Sequence, residues 1–301
     1  MRVTLFTYWN NVWVRYLKKY FDTIKDIDFR VEVNSQLNSN IMQESDITIF
    51  GWADKSVIEA SKYFMKFSKK YIVFCRSYEI FFGHIRKINW KHIDSCIFVN
   101  KHFSEEFGSK IPTKVEYLPN AIDLDEWKFQ KHEAGYDIAW VANLSHKKGI
   151  DLIPQFMHKL CQKDKRYKLH LAGADQEPRH IMYLKYQLEE LGLTDNVIFY
   201  NSVKGIQDWL KDKSYLFTCS VTEGHPNNVL EAMSLGIKPI IHTWLGAKEQ
   251  FPKHLLWSDI DTAVKLVTED EYNSESYRKF IINNYDLWKV YPRLEDIIRN
   301  V

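Results

Sequence analysis

The sequence predicts an α/β protein built of two Rossmann-like, doubly wound domains facing a cleft, and three observations carry that reading. The chain has 301 residues, more than a single hydrophobic core usually serves. Short β-branched and aromatic runs alternate with stretches of helical periodicity, which predicts parallel strands joined by helices and covered on both faces. That rhythm stops at a polar bridge, residues 123–135, and then starts again.

In the first predicted domain, residues 1–122, the apolar runs at 3–8, 47–51, 71–75, 96–100 and 115–118 read as buried strands. Periodic stretches such as 13–20 and 55–67 separate them as helices. After the bridge, a second domain over 136–284 repeats the pattern with strands at 137–142, 169–173, 197–200, 216–221 and 239–242. The last stretch, 276–301, is helical in pattern and is expected to break at Pro292.

Composition narrows the class. A formal net charge of +2 gives no global pull toward nucleic acid or an anionic membrane. Cys75, Cys96, Cys161 and Cys219 form no C-x-x-C pair and read as small buried hydrophobes in a reducing compartment. The apolar start of the chain is too short for a signal peptide, and no run approaches a membrane span. The expected location is the cytoplasm.

The most informative stretch is TEGHPNNVLEAMSLG, Thr222 to Gly236, which follows the strand-like run YLFTCSV. It reads as strand, tight loop and helix. Gly224 lets the loop bend, and Pro226 suits the first helical turn because its missing N–H would be unpaired there. The amides of Asn227, Asn228 and Val229 then stand as orphan donors at the positive end of a helix dipole, a seat for a diphosphate, with His225 beside them. Glu231 lies about a turn further in and leans back toward the N-terminus, where it would meet a vicinal diol such as a ribose. Glu223, outside the helix, would face the group beyond the phosphates. These groups ask for a nucleotide whose diphosphate carries something polyhydroxylated, and a nucleotide sugar fits.

This stretch resembles the E-x7-E region of retaining glycosyltransferases of the GT-B fold, the "glycosyl transferases group 1" class or glycosyltransferase family 4. Two further segments resemble the same class in the same order: YLPNAIDLDEW from Tyr117, and VANLSHKKGIDLI from Val141. The resemblance implies that Lys148 and the loop amides hold the diphosphate and stabilise it as it leaves. It further implies that Glu223 holds sugar hydroxyls, Glu231 the ribose, and backbone near Gly173 and residues 201–204 the base. Retention would proceed by front-face substitution without an enzyme nucleophile. No metal or other cofactor is expected, because a helix terminus and a lysine replace a cation. The final helix, about 285–301, is expected to pack back on the first domain.

The chain also departs from the class. Asn143 stands where an arginine is usual, which leaves Lys147 or Arg76 to supply a second cation. The loop after the first strand, Tyr8, Trp9, Asn10 and Asn11, lacks the usual glycines. Asn10 and Asn11 would instead hydrogen-bond a phosphate or an acceptor hydroxyl, and Trp9 would stack on a sugar. A histidine common near the third of the strand-like runs is missing, which makes Arg76 and Glu79 the candidates for phosphate and acceptor contacts.

The first domain is expected to bind the acceptor, a glycan or lipid-linked glycan. Its basic residues with interleaved aromatics, Lys66, Lys69, Lys70, Arg86, Lys87, Trp90 and Lys91, suit a peripheral contact with the inner membrane surface. A nucleic acid whose modified base receives the sugar is the minority reading, and because acids largely balance these cations a plain solvated face is the commoner meaning of such a pattern. A catalytically silent nucleotide-sugar binder is the other alternative. A nicotinamide oxidoreductase is disfavoured, since the first strand runs into TYWNN rather than G-x-G-x-x-G.

Overall fold

The computed structural model describes residues 1–8, 11–33, 38–63 and 69–301. The chain divides into two compact units, Met1–Asp123 with Asn284–Val301, and Leu124–Asn283. The second is a continuous segment; the first is closed by the chain's own C-terminus.

In the first unit the strands are β1 (Arg2–Thr7), β2 (Asp28–Val33), β3 (Ile47–Phe50), β4 (Lys70–Cys75), β5 (Ser95–Phe98) and β6 (Lys114–Tyr117). They form a parallel sheet in the order β2-β1-β3-β4-β5-β6. The helices between them are α1 (Val12–Phe21), α2 (Ser39–Glu44), α3 (Lys55–Ser61), α4 (Ser77–Phe81) and α5 (Lys101–Gly108). Central strands such as β3 and β5 are buried along their whole length, which is why their sequences are apolar without alternation. The edge strand β2, DFRVEV, alternates polar and apolar residues with half of them exposed, so it lacks the continuous apolar run by which the buried strands are read. On α1 the buried positions Trp13, Val14, Tyr16, Leu17, Tyr20 and Phe21 make one apolar stripe at helical spacing.

The second unit repeats the plan with β7 (Asp137–Val141), β8 (Lys168–Ala172), β9 (Val197–Asn201), β10 (Tyr215–Thr218), β11 (Lys238–His242) and β12 (Leu256–Trp257), ordered β12-β11-β10-β7-β8-β9. Its helices are α6 (Ile153–Lys163), α7 (Pro178–Glu190), α8 (Ile206–Leu210), α9 (Asn227–Leu235), α10 (Ala247–Gln250), α11 (Ile260–Thr268) and α12 (Ser274–Asn284). Phe156 and Phe217 stack at 4.0 Å between helix and sheet, and Trp257 of β12 continues the stack on Phe217 at 5.4 Å. Of the polar bridge expected at 123–135, residues from Leu124 onward group with this unit and are fixed to it at several points. Trp127 is fully buried, Gln130 donates its amide to Leu235 O at 3.1 Å, and Arg278 donates to the carbonyls of Trp127 and Leu124.

The C-terminal helix α13 (Leu287–Arg299) belongs to the first unit. The expected break at Pro292 does not occur; Pro292 lies inside α13, and the interruption comes at Tyr285–Asp286, where Asp286 pairs with Ile122 in a parallel bridge and then caps the helix. Leu287, Val290, Tyr291, Leu294 and Ile298 are buried along α13. At roughly 1.5–3 kcal/mol each they outweigh the ~3 kcal/mol that an interior proline removes. Tyr20 of α1 donates to Glu295 at 2.8 Å and fixes the packing. No described helix is long and apolar enough to cross a membrane.

Candidate active site

In the second sheet, β7 to β9 run outward in one direction and β10 to β12 in the other, so the strand order reverses between β7 and β10. Loops leaving the C-terminal ends of those two strands diverge, and open α/β sheets bind ligands in the crevice this leaves. An open pocket of about 470 Å³ lies there, lined by Asn143 and Lys148 after β7, Gly173 after β8, Ser202 and Val203 after β9, and Glu223, His225, Pro226, Asn227 and Asn228 after β10.

Each wall has a local cause. Residues His146–Lys148 form a 3₁₀ turn that ends at Gly149, whose φ is +67°. A Cβ on Gly149 would stand 1.8 Å from the carbonyl oxygen of Cys219, so only glycine lets this loop lie against the end of β10. The loop is fastened there by Val221 N to Lys147 O at 3.0 Å and Cys219 Sγ to Lys148 O at 3.2 Å. Lys148 is thereby aimed at Glu223, to whose carboxylate it donates at 2.5 Å. The Glu223 side chain keeps 10% of its exposure and Lys148 23%, so the pair is largely shielded yet opens on the pocket.

Gly173 is required for a similar reason. Its Cβ would meet Ala142 O at 1.5 Å, and its amide donates to Asn201 O at 2.7 Å. Asn201 itself adopts φ +53°, a left-handed conformation that asparagine tolerates. These contacts shape the pocket wall formed by β8 and β9.

The helix start differs in detail from the expectation. Pro226 is the N-cap rather than the first helical residue, and α9 begins at Asn227. Asn228 donates its side-chain amide to Val141 O at 2.8 Å and accepts the Val229 amide at 2.9 Å, tying α9 to β7. The Val229 amide is therefore taken, and Val229 is a core residue rather than an orphan donor to a ligand. Gln250 of α10 donates to Gly224 O at 2.6 Å and holds the loop between Glu223 and α9. His225 is buried, lies parallel to Phe251 at 5.8 Å, and is pushed down to about 3 by burial, so it stays neutral.

Glu231 sits one turn into α9, half-buried, and does not line the pocket. Burial, reinforced by the nearby Glu126 charge, raises its carboxyl to about 7. Lys147 accepts the Val221 amide, in the loop after β10, on its carbonyl and is not a pocket-lining residue either.

In the first unit the sequence candidates separate. Trp9 and Asn10 lie outside the described residues. Asn11 is the N-cap of α1, with its carbonyl accepting from Val14 N at 3.1 Å. Glu79 does not fit the expected acceptor contact: it is completely buried, and its two carboxylate oxygens accept from Ala53 N at 3.2 Å and Arg76 N at 3.1 Å. It is a helix cap. Arg76 stacks on Trp13 at 4.6 Å and Trp52 at 5.2 Å and donates to Asn120 at 3.3 Å, and burial lowers its pKa. Its guanidinium is held by aromatic faces inside the first unit.

Residues that sequence reasoning missed stand at the corresponding reversal in the first sheet, between β1 and β3. Tyr8, Trp52 and Asp54 line a cavity there, and an adjoining one of about 500 Å³ adds Lys55, Tyr78 and His84. Asp54 caps α3 by accepting from Ser56 N at 2.8 Å, and Tyr8 hydrogen-bonds the Ser56 hydroxyl. Burial and then the Asp54 charge raise the Tyr8 phenol, which the Ser56 hydrogen bond partly offsets. The available signal was positional: Tyr8 closes the first predicted strand, Trp52 and Asp54 follow the second, and Tyr78 and His84 follow the third.

Comparison with known proteins agrees with this geometry. The family model described as glycosyl transferases group 1 matches residues 122–286, more than half of the chain. One component of the human phosphatidylinositol N-acetylglucosaminyltransferase is 26% identical over 170 residues, 55% of this chain and 34% of that protein. The gpi3 component of the phosphatidylinositol N-acetylglucosaminyltransferase from Schizosaccharomyces pombe is 26% identical over 149 residues, 48% of this chain and 32% of that protein. The chain thus spans about a third of the length of the curated relatives it matches. Among solved structures, Anabaena Alr3699/HepE in complex with UDP and glucose superposes with a TM-score of 0.81 at 13% identity, covering 100% of both chains. Sucrose-phosphate synthase from Thermosynechococcus elongatus gives a TM-score of 0.81 at 10% identity, covering 100% of this chain and 98% of that one. At these identities the likeness is one of fold, two Rossmann-like parallel sheets in the GT-B arrangement. With the family match lying across the switch-point pocket and its Lys148–Glu223 pair, this chain belongs to the glycosyl transferases group 1 family and has the GT-B fold.

Proposed function

We propose that the chain transfers a sugar from a nucleotide-diphosphate sugar to an acceptor hydroxyl, with retention at the anomeric carbon and without a metal ion. The observation that carries this reading is the Lys148–Glu223 pair at the mouth of the switch-point pocket. An ammonium group has three donors, so Lys148 can hold Glu223 and reach a diphosphate oxygen together. As the glycosidic bond stretches, charge builds on that oxygen, and a cation already in place stabilises the transition state more than the ground state. Glu223 accepts hydrogen bonds from the sugar's hydroxyls and orients its reacting face. The departing phosphate oxygen takes the acceptor hydroxyl's proton on the same face, which is what retention requires. Glu231, one turn further along α9 and outside the pocket lining, is the proposed partner of the ribose diol, which its side chain meets by swinging toward the helix start, and backbone around Gly173 and Ser202 holds the base.

UDP is the first nucleotide to test, because the HepE structure holds UDP and glucose. A glycan or lipid-linked glycan is the proposed acceptor, in line with the phosphatidylinositol acceptor named for the curated relatives. The cavity around Tyr8, Trp52 and Asp54 is the proposed acceptor side, with Trp52 as a stacking face and Asp54 as an acceptor for hydroxyl protons. The proposed location is cytoplasmic, with peripheral contact at the inner membrane surface.

The test is a panel of UDP-, GDP- and ADP-sugars, read by thermal shift and by acceptor-dependent release of nucleoside diphosphate. One nucleotide is expected to stabilise the chain by about 2.7 kcal/mol at 100 times its dissociation constant. The same nucleotide's sugar should turn over with a glycolipid or glycan. Binding without any release in the presence of acceptors would mark a silent binder, and no binding at all would remove the reading.

A further inference from the structure

Beside the pocket, the turn that carries Lys148 meets the first turn of α7 through a cluster the proposed transfer reaction does not use. His146 opens the 3₁₀ turn, Glu177 precedes α7, and His180 stands one turn into that helix on the same face as Glu177. Their ligand-type atoms all lie within 4.8 Å of one another. His146 Nδ1 is 2.9 Å from Glu177 Oε1, and His180 Nε2 is 3.7 Å from Glu177 Oε2. On its far side His180 Nδ1 faces Asp151 Oδ1 at 3.4 Å.

We propose that His146, Glu177 and His180 form a binding site for a transition-metal dication, with Asp151 as the outer partner of His180. Two imidazole nitrogens and one carboxylate favour zinc, nickel or copper over magnesium or calcium, which prefer all-oxygen shells. Tetrahedral zinc holds N and O ligands at about 2.0–2.2 Å, so neighbouring donor atoms stand roughly 3.3 Å apart. With Glu177 Oε2 as the shared donor, His146 Nδ1 stands at 3.1 Å and His180 Nε2 at 3.7 Å, which bracket that spacing, and partly exposed side chains reach it by small rotations. A metal-bound histidine almost always passes its other N–H to a carboxylate, which fixes the ring, and Asp151 occupies that position. Glu177 and Asp151 together bring two negative charges, which outweigh the partial positive charge at the start of α7 and favour a cation there. The remaining coordination positions open to solvent.

The metal would clamp the Lys148 turn to α7. Glu177 already accepts the His146 backbone amide at 3.1 Å, so the bound state tightens an existing contact rather than building a new one. The site lies outside the donor pocket and stands whether or not the chain transfers sugar.

The experiment uses the full chain without a polyhistidine tag, dialysed against chelator and then titrated calorimetrically with zinc chloride, with magnesium chloride as the control. Cobalt(II) absorption reports the coordination directly. One equivalent of zinc should bind, magnesium should not compete, and cobalt should give an intense visible band of low coordination number. His180→Ala and Glu177→Gln should each abolish the band, and Asp151→Asn should weaken zinc binding about 10–100-fold while keeping it. All four side chains are at the surface, and equal thermal unfolding of the metal-free variants checks that they fold. Absence of saturable zinc binding, or zinc binding unchanged in His146→Ala and His180→Ala, overturns the proposal. UDP binding by the metal-free protein is measured in parallel, so failure here and failure of the transfer reading are told apart.

Discussion

Glu231 is the residue whose chemistry is most exposed to test. Its carboxyl is raised from an ordinary 4.5 to about 7, chiefly by burial and then by the Glu126 charge. Because the folded value lies above the unfolded one, the native chain holds a proton that the unfolded chain has released between these values. That contribution to stability is fully present below about 4.5 and is lost as pH rises through about 7. Glu231→Gln, a neutral replacement of the same shape, is expected to be more stable than the native chain at pH 8, with the difference much reduced at pH 5. Urea unfolding at the two pH values measures this. A ribose diol donates two hydrogen bonds and favours the charged carboxylate, so UDP-sugar affinity should rise from pH 6 to pH 8 in the native chain and stay flat in Glu231→Gln. An equal rise in both would remove Glu231 from the donor site. The Lys148–Glu223 pair gives a second test at this scale. Lys148→Met leaves a shielded carboxylate without its cation and should cost about 1–3 kcal/mol of stability, together with a loss of about 100–1,000-fold in turnover. Adding Glu223→Gln should restore much of the stability and none of the turnover. Recovery of both would mean that the pair is structural.

At the scale of elements, the pocket depends on two loops lying unusually close to neighbouring strands. Gly149→Ala would force a Cβ against the Cys219 carbonyl at a positive φ, and Gly173→Ala would do the same against Ala142. Each is expected to lower stability by at least ~1–3 kcal/mol and to weaken UDP binding, because the shifted loop carries Lys148 or the pocket wall with it. Gly192 provides the control: its φ is +65°, but its Cβ would meet nothing within 4 Å, so Gly192→Ala should cost only ~1–2 kcal/mol and leave UDP binding intact. Equal binding losses in all three would show that the effect is general destabilisation. These glycines stood in plain view as part of K-K-G and of a strand end, yet their reason could not be read there. A carbonyl from a distant part of the chain, that of Cys219, decides Gly149. The same limit applies to β2 and β12. The first alternates polar and apolar residues on an edge and the second has two residues, so neither carries the apolar run that revealed the other strands. Glu79 misled for a related reason, since a charged residue in the helical turn after a strand looks the same whether it faces a ligand or caps its own helix.

For the whole molecule, what the sequence made legible was the doubling of the α/β rhythm, because buried parallel strands must be continuously apolar and the intervening helices must be amphipathic. The Lys148 and Glu223 loops were legible through their motifs and come together because both leave the sheet where its order reverses. The cavity of the first unit was not legible, since Tyr8, Trp52 and Asp54 converge only once β1 and β3 are neighbours. The same topology predicts how the chain can be divided. Leu124–Asn283 is one continuous segment with its own sheet, its own aromatic stack and the whole donor pocket. Expressed alone, it is expected to fold cooperatively and to bind UDP. Met1–Asp123 alone lacks α13, and with it the Leu287, Val290, Tyr291, Leu294 and Ile298 side chains that cover α1. At roughly 1.5–3 kcal/mol per buried side chain, that loss is comparable to the whole 5–15 kcal/mol stability of a domain. The fragment should therefore be molten or aggregate, and a peptide of residues 284–301 added in trans should restore a sharp thermal transition. A well-folded 1–123 fragment, indifferent to the peptide, would show that α13 is an accessory to the first unit rather than part of its core.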